Sequence, residues 1–283
     1  MKKTVLAILS GVIFCVCVIC QSVSAAQVPK PDRLKIGWAK RSIAVPGNVP
    51  ITGQMHLRIS CGEYSPVIAS ALAISNSQDA VIFVALDVVS TNKVILQGVI
   101  DILGKEAPEI PAAKIILNST HTHTAPATAE VNTNYPNKVE IVKASEYQGF
   151  IIRNVADAIK EAWAKRADGS IAYGYGLATV GFSRRSLYLD DTGKRLGHAP
   201  GFASNGHCIM YGKTRDDMFA GYESGTDPFV NLLYTFDANG KLSGAVVNVA
   251  CPAQNFEKGW MYYAGFWAHV RNKLEAEYGK IGR

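Results

Sequence analysis

The chain is poor in the features that mark common catalytic and binding classes. Beyond the N-terminal apolar run there is no C-x-x-C pair, so a structural zinc knuckle is not encoded there. No G-x-S-x-G elbow, H-E-x-x-H helix, phosphate loop or dinucleotide glycine pattern occurs. No block of lysine and arginine exists, and the formal charge of +6 is scattered over 283 residues. That argues against a dedicated nucleic-acid surface; a mild basic excess is usually a solvated exterior. Repeats and low-complexity segments are absent, and 48 % hydrophobic residues suffice for a sizeable core.

The one long apolar run, Val5 to Cys20, follows Met1-Lys2-Lys3 and precedes Gln21-Ser22-Val23-Ser24-Ala25-Ala26. It is short for a membrane span and has the three regions of a secretory signal peptide. Cleavage fits best after Ala25, with Ala26 the next choice. The expectation is an exported protein, periplasmic or secreted, with no stable transmembrane anchor. Residues 1–25 are read as signal peptide, 26–33 as a flexible lead-in and 34–283 as the folded part. A mature chain of about 258 residues fits one large domain or two small ones. It keeps Cys61, Cys208 and Cys251, an odd number, so at least one thiol is free or ligated. A Cys61–Cys208 bridge is one option; three small buried hydrophobes is another.

Apolar runs predict strands at Leu34–Trp38, Met55–Ile59, Val67–Ser75, Ala80–Val89 and Ala113–Leu117. Further strands are expected at Ser170–Val180, His207–Tyr211, Val230–Phe236 and Leu242–Ala250, the last two joined by an Asp237–Gly240 turn. Helical spacing predicts helices over Thr91–Leu103, capped by Ser90 or Thr91, over Glu146–Lys165, closed by Asp168-Gly169, and over Tyr262–Tyr278. Gly181–Asn205 reads as a loop. Strands outnumber helices in a mixed order, which predicts an α/β fold with mixed β-sheets sandwiched with helices.

Three predicted strands end in chemistry-bearing residues. Phe83–Leu86 ends at Asp87, Ala113–Leu117 leads into Asn118-Ser119-Thr120-His121-Thr122-His123-Thr124-Ala125-Pro126, and Val246–Ala250 ends at Cys251. Two histidines at i and i+2 past a strand's end can face one cavity, since side chains alternate with period two. Neutral imidazole is the commonest metal ligand, and the flanking threonine hydroxyls could orient the rings. If the three strands are neighbours, Asp87, His121, His123 and Cys251 meet at one sheet edge, a donor set suited to zinc. Asp87 reads equally as a turn or helix-cap carboxylate, and Cys251 as a buried thiol before a proline turn.

Asn118–Pro126 resembles the T-H-T-H-(S/T)-x-P motif of neutral (alkaline, non-lysosomal) ceramidases and their ceramidase-like relatives. Phe83–Asp87, Phe182–Tyr188 and Asp227–Gly244 resemble segments of that family in the right order. The resemblance implies the N-terminal part of a zinc-dependent amidase domain acting on an amide in a lipid or another small molecule. It implies that His121 binds zinc, that His123 lies beside the metal and polarises substrate, and that Arg184 contacts a polar head. Cys251 falls where the family has its second zinc-binding histidine, and the family's remaining ligands come from a region beyond the helix that follows Cys251. The alternative is a degenerate, non-catalytic ceramidase-like domain that binds a ligand or partner.

Overall fold

The computed structural model describes residues 32–131, 140–196 and 204–282. All but Asp32 belong to one unit, Arg33–Arg283. The expected signal peptide and most of the lead-in lie outside the described residues, as does His198 of the basic loop.

The strands are β1 Leu34–Ser42, β2 Pro50–Ile51, β3 Arg58–Ile59, β4 Ile68–Ser75, β5 Ala80–Leu86, β6 Ile115–Ser119 and β7 Ala167–Leu177. They continue with β8 Arg185–Tyr188, β9 Ser204–Asn205, β10 Cys208–Met210, β11 Phe219–Tyr222, β12 Phe229–Asp237 and β13 Leu242–Val249. The helices are α1 Lys93–Glu106, α2 Ala144–Ala164 and α3 Phe266–Tyr278. Seven strands form one mixed sheet in the order β13-β12-β7-β1-β4-β5-β6. Its pairs are antiparallel except β5 with β6, the two strands that α1 connects. A smaller sheet has the order β11-β8-β10-β9, and β2 pairs with β3. The expected mixed α/β architecture is the observed one.

α1 and α2 cover one face of the large sheet. Ile95, Val99 and Leu103 of α1 and Ile151, Val155 and Ile159 of α2 are buried at helical spacing against Ala71, Ala73, Ile82 and Val84. Gly37 of β1 lets α2 come close, because a Cβ there would overlap the Ala162 carbonyl. β12 and β13 turn back over the other face. Ile36, Trp38, Leu72 and Ile74 pack there with Leu233 and Val246, and Trp38 Nε1 donates to Thr235 Oγ1 at 3.0 Å. The result is the expected sandwich, made by a sheet that curls onto itself.

Several expected boundaries shift for identifiable reasons. Asn92, not Ser90 or Thr91, caps α1: its Oδ1 accepts from the Ile95 amide at 3.0 Å. Asp168 and Gly169 do not close α2 but pair with Lys35 and Leu34 inside β7. The expected loop Gly181–Asn205 contains β8 and the start of the small sheet. Among the described residues, no helix is long and apolar enough to cross a membrane.

Candidate functional site

β5 and β6 run parallel, so their ends lie side by side and the backbone continues the ladder into the histidine loop. Thr120 N donates to Leu86 O at 2.9 Å, and His121 N to Val88 O at 3.1 Å. His121 then takes φ 58°, a left-handed conformation that costs an ordinary residue about 1–2 kcal/mol. The simple period-two alternation therefore breaks at this residue. The two rings nonetheless come together, with centroids 4.9 Å apart and planes at 59°.

The neighbouring threonines do other work than orienting the rings. Thr122 and Thr124 are buried, and both hydroxyls donate to the Tyr263 carbonyl, at 2.7 and 2.9 Å. Tyr263 N returns a bond to Thr124 O at 2.9 Å, and Ala253 N donates to Thr120 O at 3.0 Å. These bonds dock the segment after β13 onto the histidine loop.

His121 is oriented by backbone. Its Nδ1 lies 2.7 Å from Val89 O, and a carbonyl only accepts, so Nδ1 carries the proton. Nε2 keeps a free lone pair, the state in which imidazole binds a metal. His123 is more enclosed, with its side chain 11 % exposed. Gln254 Nε2 lies 2.7 Å from its Nε2, and Glu257 Oε1 lies 3.4 Å from its Nδ1. Burial, then the nearby His121, hold this imidazole below its ordinary pKa, while Glu257 pulls the other way. On balance this favours the neutral form of His123.

Asp87 is wholly buried and saturated. Its oxygens accept from Ile68 N at 3.0 Å, Thr120 Oγ1 at 3.2 Å, and Arg271 Nη1 and Nη2 at 2.7 and 2.9 Å. It ties the start of β4, the root of the histidine loop and α3 together, and caps no helix. Arg184 is exposed; its carbonyl accepts from Tyr211 N at 2.6 Å. Cys251 follows β13, which lies at the opposite end of the strand order from β6, though Ala253, two residues on, bonds to Thr120 of the histidine loop. The Cys251 Sγ faces its neighbour's carbonyl, Pro252 O, at 3.5 Å, and burial pushes its thiol pKa up. All three described cysteines are free, so Cys61 and Cys208 form no bridge here.

Sequence reasoning passed over the residues that frame His123. Arg58 is fully buried, and its guanidinium donates to Glu257 O, Gly259 O, Thr52 O and His123 O at 2.6–2.8 Å. It staples both loops that flank the ring. Gly53, at φ 106°, lies against the imidazole, where any Cβ would overlap it. A lone arginine between polar loops carries no spacing signal, and neither does a single glutamine.

The donor set does not fit a zinc site by itself. His121 offers one free imidazole nitrogen, His123 Nε2 is engaged by Gln254, and Asp87 is spent on Arg271. Among the described residues no three His, Cys, Asp or Glu side chains converge as a metal needs.

No protein-family model and no curated protein matches the chain. Solved structures do. A neutral ceramidase from Pseudomonas aeruginosa aligns with a TM-score of 0.61 at 18 % identity, over 88 % of this chain and 36 % of that one. A ceramidase complexed with C2 aligns with a TM-score of 0.62 at 19 % identity, over 89 % of this chain and 36 % of that one. The chain thus spans about a third of the length of the ceramidases it resembles, and what it shares with them is a ceramidase-like fold.

Proposed function

We propose that the chain is a ceramidase-like amidohydrolase domain, exported in its mature form, that opens an amide bond in a lipid or another small molecule. The observation that carries this reading is the histidine loop: two imidazoles 4.9 Å apart, one anchored through Nδ1 with its Nε2 free. The fold likeness to two ceramidases supports it, and so does the N-terminal pattern Met1–Ala26. His123, whose pKa burial lowers, serves as the proton acceptor, and the exposed Arg184 offers a cation to a polar head group. Zinc belongs to the family resemblance. The described donors do not complete its shell.

The test is release of amine from a series of N-acyl amides of short and long chain by the purified mature protein. Zinc content is measured in parallel by elemental analysis. Hydrolysis is expected, falling about a hundredfold or more in His123→Ala, the usual loss of a general base. No turnover of any amide would sink the reading.

A second reading, a non-catalytic domain that binds a ligand or partner, is favoured by Gln254 on His123. Amide binding without turnover, with hydrolysis appearing in Cys251→His in an extended chain, would select it.

A further inference from the structure

Three loops near His123 carry large apolar side chains that the fold leaves in solvent. Arg58 joins the loop after β2 to the loop after β13, since one guanidinium donates to Thr52 O and to Glu257 O and Gly259 O. The third loop follows β3 and is tied to the same segment: Cys61 N donates to Trp260 O and Tyr64 N to Tyr262 O, both at 2.8 Å. The buried Tyr263 ring has Tyr64 and Phe256 edge-on to it, with centroids 5.3 and 5.9 Å away. On this connected group of loops Met55, Tyr64, Phe256 and Trp260 stay 47–94 % exposed. Gly53, two residues before Met55, packs against the His123 ring, so the group borders the histidine loop. An aromatic side chain carries roughly 150–250 Å², so the four together leave roughly 500 Å² in solvent. That reaches the size of a functional surface patch, about 300–600 Å², and falls short of the ~800 Å² per partner of a stable protein interface. The formal charges on residues 52–65 and 251–265 cancel, Arg58 and Lys258 against Glu63 and Glu257.

We propose that these loops dock the protein on a lipid bilayer of no net charge, with Met55, Tyr64, Phe256 and Trp260 seated in its interfacial region. Tryptophan and tyrosine favour that region, where one end of the ring is apolar and the other wet. Cancelled charge gives the loops no attraction to an anionic bilayer, so buried apolar area sets the affinity. The hydrogen bonds of Arg58 fix the loops beforehand, which lowers the ordering cost of docking. The inference rests on the proposed function only for the view that the bilayer carries the substrate amide; docking itself needs no turnover.

The test sediments the purified mature protein with vesicles of phosphatidylcholine, plain or mixed with phosphatidylglycerol. Binding is expected, equal on both compositions and unchanged by added salt. On phosphatidylcholine with brominated chains, tryptophan emission should fall. Trp260→Phe should remove most of that quenching, because Trp38 is buried and Trp163 and Trp267 are half-buried. Met55→Ser and Trp260→Ser should each weaken binding about tenfold. Ile171→Ser with Leu177→Ser, at exposed apolar positions of β7, should leave it unchanged. Failure of the wild type to sediment with either vesicle overturns the proposal without any variant having to fold. So does binding that needs phosphatidylglycerol or is lost in salt, quenching that survives Trp260→Phe, or an equal loss in the β7 variant. A lipid-free dimer that Trp260→Ser dissolves would give the loops to a second copy of the chain and overturn it too. Vesicle binding with no amide hydrolysis would sink the proposed function and leave the docking surface standing; hydrolysis of soluble amides without vesicle binding would do the reverse.

Discussion

Asp87 shows how one residue type supports two chemistries and how its neighbours choose between them. A carboxylate at the end of an apolar strand reads as a candidate ligand or catalytic acid, but Arg271 takes both of its oxygens. Arg271 lies 184 positions away on α3, where no local pattern could announce it. Removing one partner leaves a buried charge unpaired, which costs about 3–5 kcal/mol. Arg271→Met should therefore lower unfolding free energy by about 3 kcal/mol in urea titration. Arg271→Lys, which keeps the charge and loses the fork, should cost less; equal loss in both would deny the pair its role. Tyr262 gives a signed pH effect. Burial pushes its phenol up to about 12, with the hydroxyl donating to Val45 O at 3.2 Å. An unfolded tyrosine ionises near ~10. Between those values unfolding releases a proton, so stability falls as pH rises from about 10 to about 12 and levels off above. Tyr262→Phe should flatten that limb of the thermal-melt profile, and an unchanged slope would refute the assignment.

At the scale of elements, what was legible was local periodicity, and what was not was pairing. α2 shows its buried stripe directly in Ile151, Val155 and Ile159, spaced four apart. β4 and β5 are continuous apolar runs because helices cover one face and the curled hairpin the other. β8 hid inside glycine- and arginine-rich sequence, since four residues of a small, half-exposed sheet carry too little alternation to stand out. The Asp168-Gly169 pair reads as a helix stop by its residue types, yet α2 ends at Ala164 and those residues pair with β1. The histidine loop was legible as a site because an apolar strand ran straight into polar residues and a proline. Its partners were not: Arg58, Gln254 and Glu257 arrive from segments whose places depend on sheet order, which no single stretch encodes.

For the whole molecule, sheet order explains both the site and its uneven support. Cys251 seemed fit to join the histidines only if β13 neighboured β6, and the two are opposite edges of one sheet. Curling still brings the segment after β13 to the histidine loop, through Ala253 and Tyr263, so Gln254 reaches His123. The same curl thins the sheet elsewhere. β1 pairs with β7 only at Leu34–Ile36, so β7 beyond Gly169 has β12 as its one neighbour. Ile171, Tyr173, Tyr175 and Leu177 point from that stretch into solvent, 43–68 % exposed. β4, by contrast, is paired on both sides and buried from Ala71 to Ser75. Local opening follows such differences, because few buried contacts hold the exposed stretch closed. Hydrogen exchange read by mass spectrometry should show peptides spanning 170–177 losing protection well before those spanning 69–75. The histidine loop, tied down by Asp87, Thr122, Thr124 and Arg58, should exchange with β4 rather than with β7. Early exchange across residues 119–125 would mean that those ties do not hold the site rigid, and the positions of His121 and His123 would lose their physical support.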